Sequence, residues 1–380
     1  MTRPTILLAG GGTGGHVFPA VAVAESMQAL ADVDAVFCGT RRGVEAGVIP
    51  ARGWRLELLD IEPMKGGGPA RAVRGAVVAA RATLRAFALV RALRPRAVLS
   101  VGGYAAGPVT LAAALLGVPV ALMEPNRVVG LANRLLAPFA RRAYVAWDET
   151  GAAFRARTRR VYGVPLRAGF APRPYAPHGT ARVLVLGGSQ GAGALNERMP
   201  QAVARLADLP GLEVVHQAGR ERDAAVRAAY QREGVTRVSV VPFIEDVPRA
   251  LAEADLVVAR AGASSIAELT AVGRAAVLVP FPHAADDHQA KNAEALARAG
   301  GALCVRQDAA DAARLAREIG ALLTDHGART AMADACRACG KPGAAHDVAV
   351  DLLALAGIAE RPRTKTNGSS PSPRRAEEAR

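Results

Sequence analysis

Cysteine is scarce in this chain: Cys38, Cys304, Cys336 and Cys339 are the four among 380 residues. They are too few and too scattered for a disulfide framework, and a reducing cytoplasm is the compartment that fits. Cys336 and Cys339 form a CxxC, but it lies in an Ala-rich helical stretch without a second pair, so ordinary packing is the expectation and zinc is not. Aromatic residues make up only 4%. Stacking surfaces for bases are correspondingly few and no reader motif is present, so no nucleic-acid partner is expected despite a formal charge of +14. Long apolar runs are missing too. The best stretch, 109–123, is broken by Gly117 and Pro119, whereas a spanning helix needs about 18–20 uninterrupted apolar residues. The apolar opening at 6–9 runs straight into glycines, too short for the roughly 7–15 residues of a secretory core. The chain is therefore expected to be soluble or bound at a membrane surface. Acidic residues are absent from 63–123, where Lys65, Arg71, Arg74, Arg81, Arg85, Arg91, Arg94 and Arg96 all fall. That imbalance points to an anionic partner.

What is present is a repeated alternation. TILLAG, VDAVFC, RLELLD, AVLSVGG, VPVALM and RAYVAW are short apolar strands separated by helical segments. Such spacing predicts parallel sheets covered by helices, an α/β fold. A turn-rich segment with four prolines, YGVPLRAGFAPRPYAPHGT, interrupts the pattern. It restarts at RVLVLGG and runs through LEVVHQ, RVSVVPF, ADLVVAR, AAVLVP and ALCV. Two Rossmann-like domains are expected, over 1–163 and 181–341, with a linker at 164–180. A helix at 342–357 is expected to pack back on the first domain, and a Pro/Ser/Arg-rich tail at 360–380 is expected to be disordered.

Glycine is placed with purpose. Gly10, Gly11, Gly12, Gly14 and Gly15, with Thr13 and His16, follow a strand and open a helix, as an anion-binding loop requires. The next strand ends in Cys38-Gly39 without the carboxylate that would hold a nicotinamide dinucleotide ribose. The second half repeats the device in Gly187, Gly188, Ser189, Gln190, Gly191 and Gly193, and a third cluster holds Gly102, Gly103 and Tyr104. At the carboxyl ends of parallel strands all three would face one crevice and a ligand rich in phosphate and hydroxyl groups. RAGASSIAE joins another strand to a helix. Its Glu268 reads either as a capping carboxylate or as acceptor for a ribose diol. HAADDHQAKN carries His and Asp without metal-ligand spacing, which favours sugar-hydroxyl recognition.

GGTGGHVFPAVAVA, GGYAAGP, GGSQGAGALN, VHQAG, RAGASSIAE and ADDHQAKNA occur in an order and spacing that resemble the MurG family of GT-B glycosyltransferases, over about 5–357. The resemblance implies two Rossmann-like domains facing a central cleft. It implies transfer of N-acetylglucosamine from UDP-N-acetylglucosamine to O4 of the muramoyl sugar of lipid I, with inversion, giving lipid II without metal or cofactor. By the same resemblance Ile244 reads the uracil edge and Glu268 the ribose. Ser189, Gln190 and the helix start at Ala263, Ser264 and Ser265 meet the diphosphate, and Gln289 meets the donor sugar. Thr13, Gly14, Gly15, Asn126 and Arg167 complete the donor set. Gly11, Gly12, Gly102, Gly103 and Tyr104 are assigned to the acceptor diphosphate. His16 is the first candidate for the base and Glu124 the second, with diphosphate binding an open alternative for His16. The sequence departs from the family at Met123 and Pro125, around Glu124, and at Val164 and Leu166 ahead of Arg167. Val73, Val77, Leu84, Phe87 and Val90 recur between arginines at helical spacing, an arrangement suited to anionic inner-membrane lipid on the cytoplasmic face. Other cell-wall synthesis proteins complete the implied partners.

Overall fold

The computed structural model describes residues 3–61, 69–103, 105–176, 181–188 and 191–362, with the backbone alone for 69–77, 79 and 151. The first half runs β1 (Thr5–Gly10), α1 (Gly14–Leu30), β2 (Asp34–Gly39), α2 (Glu45–Val48), β3 (Arg55–Leu58), α3 (Pro69–Leu93), β4 (Ala97–Gly102), α4 (Ala106–Leu115), β5 (Val120–Glu124), α5 (Leu131–Leu136), β6 (Arg142–Val145) and β7 (Arg159–Val161). The second half runs β8 (Ala181–Leu186), α6 (Gly193–Ala204), β9 (Leu212–Gln217), α7 (Asp223–Arg232), β10 (Val238–Val241), α8 (Val247–Glu253), β11 (Leu256–Ala259), α9 (Ala263–Val272), β12 (Ala276–Leu278), α10 (His288–Arg298) and β13 (Leu303–Cys304). Three helices follow, α11 (Ala312–Thr324), α12 (His326–Ala338) and α13 (Ala344–Leu355).

Among the described residues these strands form two parallel sheets, in the orders β3-β2-β1-β4-β5-β6-β7 and β10-β9-β8-β11-β12-β13. Each order reverses direction beside its first strand, where a crevice opens at the carboxyl ends. The edge strand β7 was not anticipated. It is three residues long and two of them are arginines, so it carries no apolar run to mark it.

Alternation along the strands sorts side chains to the two faces of each sheet. Ile6 and Leu8 pack beneath α1, while Leu7 and Ala9 pack beneath α3 and α4. In the second half Val183 and Val185 face the α6 and α11 side, and Leu184 faces α8 and α9. Of the apolar residues proposed to line a membrane face, Val90 is buried and Phe87 packs against the sheet core. They are core residues, because a helix lying on a sheet turns its apolar stripe inward. Leu84 points outward, 70% exposed. The side chains of Val73 and Val77, and all of the tail from 363, lie outside the described residues.

The chain passes between the halves twice. On the outward pass the second half clamps the segment ahead of β8: Tyr175 Oη donates to Asp255 Oδ1 at 2.5 Å, Arg329 Nε donates to Tyr175 Oη at 2.7 Å, and Arg274 donates to the Arg173 carbonyl at 2.8 Å. On the return pass α13 lies along α1, with Val348, Ala349, Leu352 and Leu353 inside the first half's core. Asp351 accepts from Arg142 Nε at 2.8 Å and from Tyr144 Oη at 2.9 Å, tying α13 to β6. Replacing the fully buried Leu352 by Ala is expected to destabilise the first half by about 2–5 kcal/mol. Urea unfolding followed by tryptophan fluorescence checks this, since Trp54 packs on the same core.

Candidate active site

The carboxyl ends of the two sheets share a cleft of about 640 Å³. Its floor is made by two helix starts. From the first half come Thr13, Gly14 and Gly15 at the N-terminus of α1, and from the second come Ala263, Ser264 and Ser265 at the N-terminus of α9. The two approach closely: a Cβ built on Gly15 would stand 3.8 Å from Ser264 Oγ and 3.8 Å from Thr13 Oγ1. The first N–H groups of a helix have no intrahelical acceptor and carry partial positive charge. Two such ends aimed at one space make a site for an anion. Ser264 Oγ is buried there without a protein partner.

Arg167, on the outward pass, bridges the halves. Its guanidinium lies 5.4 Å from the ring centre of Phe18 on α1 and 5.8 Å from that of Phe170, within cation–π range. It also acts electrostatically on Glu268 of α9. Burial pushes the Glu268 carboxyl up to about 7, and Arg167 pulls in the opposite direction. Gln289 also lines the cleft. Its Oε1 accepts from the amides of Phe281 at 3.0 Å and Ala261 at 3.3 Å, which leaves its NH2 as the end available to a ligand.

Other expected site residues stand elsewhere. The Gly11 amide donates to the Gly102 carbonyl at 3.1 Å, and the Gly12 amide donates to Glu45 Oε2 at 2.7 Å. Both donors are spent inside the protein, so Gly11 and Gly12 do not offer amides to an acceptor diphosphate. Gly102 and Gly103 back this loop and are not in the cleft wall: a Cβ on Gly102 would lie 3.0 Å from His16 Nε2, and one on Gly103 would collide with the Gly11 carbonyl. His16, in the first turn of α1, sits between the loop and Gly102. Its Nδ1 lies 3.2 Å from Thr13 Oγ1. Thr13 therefore does not cap α1 with its side chain. Burial lowers the His16 pKa, a hydrogen bond to the Gly11 backbone and the charge of Glu45 oppose that, and His288 adds to it.

Glu124 is only 3% exposed. Its Oε1 accepts from the Asn126 amide at 3.1 Å and from Asn126 Nδ2 at 3.3 Å; its Oε2 accepts from the Gly130 amide and from Asn133 Nδ2, each at 2.9 Å. Four donors on one carboxylate hold the loop after β5 and occupy both of its oxygens within the protein. Asn126 is likewise engaged. Its Oδ1 accepts from Asn292 Nδ2 at 3.3 Å, while Asn292 Oδ1 accepts from the Arg127 amide at 2.9 Å. Asn292, fully buried on α10, thus joins the two halves, and the sequence assigned it no role. Ile244 packs on the second core while its neighbours Phe243 and Val247 line the cleft. Tyr104, Ser189 and Gln190 lie outside the described residues.

Two Rossmann-like halves with parallel sheets facing a cleft between them define the GT-B architecture. Residues 6–145 match the glycosyltransferase family 28 N-terminal domain and 182–348 the family 28 C-terminal domain. The chain is 54% identical, over 93% of its length and 88% of the relative's, to the UDP-N-acetylglucosamine–N-acetylmuramyl-(pentapeptide) pyrophosphoryl-undecaprenol N-acetylglucosamine transferase of Sorangium cellulosum. It is 43% identical to the Pseudomonas fluorescens protein of that name, over 92% of this chain and 98% of the relative. The crystal structure of Acinetobacter baumannii MurG superposes with a TM-score of 0.76 at 34% identity, covering 93% of this chain and 100% of that one. The chain belongs to glycosyltransferase family 28 and, within it, to the MurG family.

The Glu268 environment generates a direct check. In Arg167→Ala the opposing positive charge is gone, so the Glu268 carboxyl is expected to titrate above its starting value of about 7. Carboxyl ¹³C NMR reads this, and an unchanged midpoint would separate the two residues electrostatically.

Proposed function

We propose that this chain transfers N-acetylglucosamine from UDP-N-acetylglucosamine to O4 of the muramoyl sugar of undecaprenyl-diphospho-muramoyl-pentapeptide, inverting the anomeric centre to give lipid II. The observation that carries the reading is the pair of helix N-termini facing one space, α1 from one half and α9 from the other. An inverting transfer develops negative charge on the departing UDP. Fixed N–H dipoles stabilise that charge without reorganising as it forms.

In this reading α9 takes the donor diphosphate through the amides at 263–265 and through Ser264 Oγ, the buried hydroxyl without a protein partner. Ser189, Gln190 and Arg167 serve the same phosphates. Glu268 accepts from the ribose diol, the Ile244 backbone reads uracil, and the free NH2 of Gln289 meets the sugar. Thr13, Gly14 and Gly15 hold the reacting sugar or the acceptor's diphosphate from the opposite wall. His16 is the base. Burial keeps it neutral near pH 7, and Thr13 Oγ1 connects it with the cleft. Glu124 and Asn126 act through loop geometry, because their polar atoms are already bonded within the protein.

Turnover of radiolabelled UDP-N-acetylglucosamine with a lipid I analogue tests the reaction, and conversion of the sugar without acceptor would overturn it. His16→Ala is expected to lower kcat by about 10²–10⁴-fold with donor KM little changed. Near-normal turnover would remove His16 from the base role.

The lipid-linked acceptor calls for contact with the cytoplasmic face of the inner membrane. No helix among the described residues is long and apolar enough to cross a membrane. A surface contact has support of its own. Side by side on one face of the first sheet, α3, α4 and α5 turn outward Leu84, Leu115, Leu131 and Leu135, at 70%, 60%, 65% and 67% exposure. Arg81, Arg91, Arg134 and Arg141 are exposed around them. Each basic residue near anionic lipid contributes about 1 kcal/mol. Leu131→Asp with Leu135→Asp is expected to abolish sedimentation with anionic vesicles, and undiminished sedimentation would count against this face.

A further inference from the structure

Glu45 is the most enclosed carboxylate near the cleft. It is 2% exposed at the start of α2. Its Oε1 accepts from the Thr40 amide at 2.8 Å and from Thr40 Oγ1 at 3.0 Å, while Oε2 accepts from the Gly12 amide at 2.7 Å. A Cβ on Gly11, Gly39 or Gly43 would come within 2.5 Å of its side chain. Gly11 from the loop after β1, with Gly39 and Gly43 from the stretch joining β2 to α2, therefore form a cradle shaped for one carboxylate. That carboxylate occupies the loop amide that the sequence reserved for a phosphate.

We propose that Glu45 is a positioning residue for the transfer, a built-in anion that pins the loop after β1 from beneath and so sets where His16 and Thr13 stand. The proposal rests on the reading of His16 as the base. Its structural chain is short: Glu45 holds the Gly12 amide, and the Gly11 amide is held by Gly102. Thr13 follows Gly12 directly and contacts His16 Nδ1. Thr13, the Gly11 backbone and Gly102 from the end of β4 stand against the His16 ring, and the charges of Glu45 from α2 and His288 from α10 reach it through space. Of the charged groups only Glu45 favours the protonated ring, against burial and His288. The same carboxylate, with Glu57, adds to the burial that pushes the Cys38 thiol up to about 12. Its charge is thus felt on both sides of the cradle.

Two substitutions in the full chain separate charge from reach. Glu45→Gln keeps the shape but removes the charge and turns one acceptor into a donor facing an N–H. Glu45→Asp keeps the charge and draws it back by one methylene, out of reach of Gly12. His16 titration is followed by NMR, assigned with His16→Ala, and compared with the pH profile of kcat. Glu45→Gln is expected to move the His16 midpoint and the acid limb of kcat together to lower pH, and to reduce kcat roughly 10- to 100-fold with donor KM held. Glu45→Asp is expected to leave the midpoint in place and still lower kcat. Where Glu45→Gln does not fold, the Glu45→Asp kcat decides alone. An unmoved His16 midpoint in folded Glu45→Gln, or normal kcat in Glu45→Asp, overturns the proposal. Failure of the base reading looks different: His16→Ala would retain turnover and its acid limb, whatever NMR shows of the pair.

Discussion

The rest of the structure is organised around the meeting of two helix N-termini, α1 and α9, across one cleft. Each end carries orphan N–H groups and partial positive charge. Bringing two such ends together is unfavourable unless something negative or polar lies between them. Beneath the loop that leads into α1, an internal carboxylate, Glu45, takes the Gly12 amide. At the start of α9, Ser264 Oγ is left buried and unpartnered. The cleft is accordingly a place whose electrostatics are incomplete, and that incompleteness is what a diphosphate ligand supplies.

Holding the two ends in register takes contacts far from the chemistry. Asn292 reaches from α10 to Asn126 and to the Arg127 amide, and Glu124 in turn fixes the loop that carries them. The return of α13 onto α1 makes the first core depend on the last helix in the chain. Tyr175, Asp255 and Arg329 attach the connecting segment to the second half alone.

The three glycine clusters illustrate how similar sequence can serve different ends. Gly14 and Gly15 line the cleft, and so do Gly187, Gly188, Gly191 and Gly193. Gly102 and Gly103 do not. They give room for His16 and for the Gly11 carbonyl. Absence of a side chain lets backbone approach a ligand, but it equally lets one loop nest on another. Spacing in the chain does not distinguish the two.

The alternation of short apolar strands with helices, the restart after the proline-rich segment and the strand–glycine–helix junctions determined the α/β class, the parallel sheets and most of the cleft-lining set. Thr13, Gly14, Gly15, Ser264, Ser265 and Glu268 were legible at strand–helix junctions, because the carboxyl ends of parallel strands must converge, whereas Arg167 and Gln289 were assigned by the resemblance to the MurG family. Tertiary structure alone decided the rest. Glu45 is a lone acidic residue in TRRGVEAG, and nothing local marks it. Its role exists only because the distant loop of Gly11 and Gly12 closes onto it, beside the local Gly39 and Gly43. Glu124 looked like a base until four donors were seen on its oxygens, and Val90 looked like a membrane contact until its helix lay on the sheet. Periodicity and junction chemistry are local and can be read along the chain. Which donor meets which acceptor, and which face of a helix is covered, depends on residues brought together from distant positions.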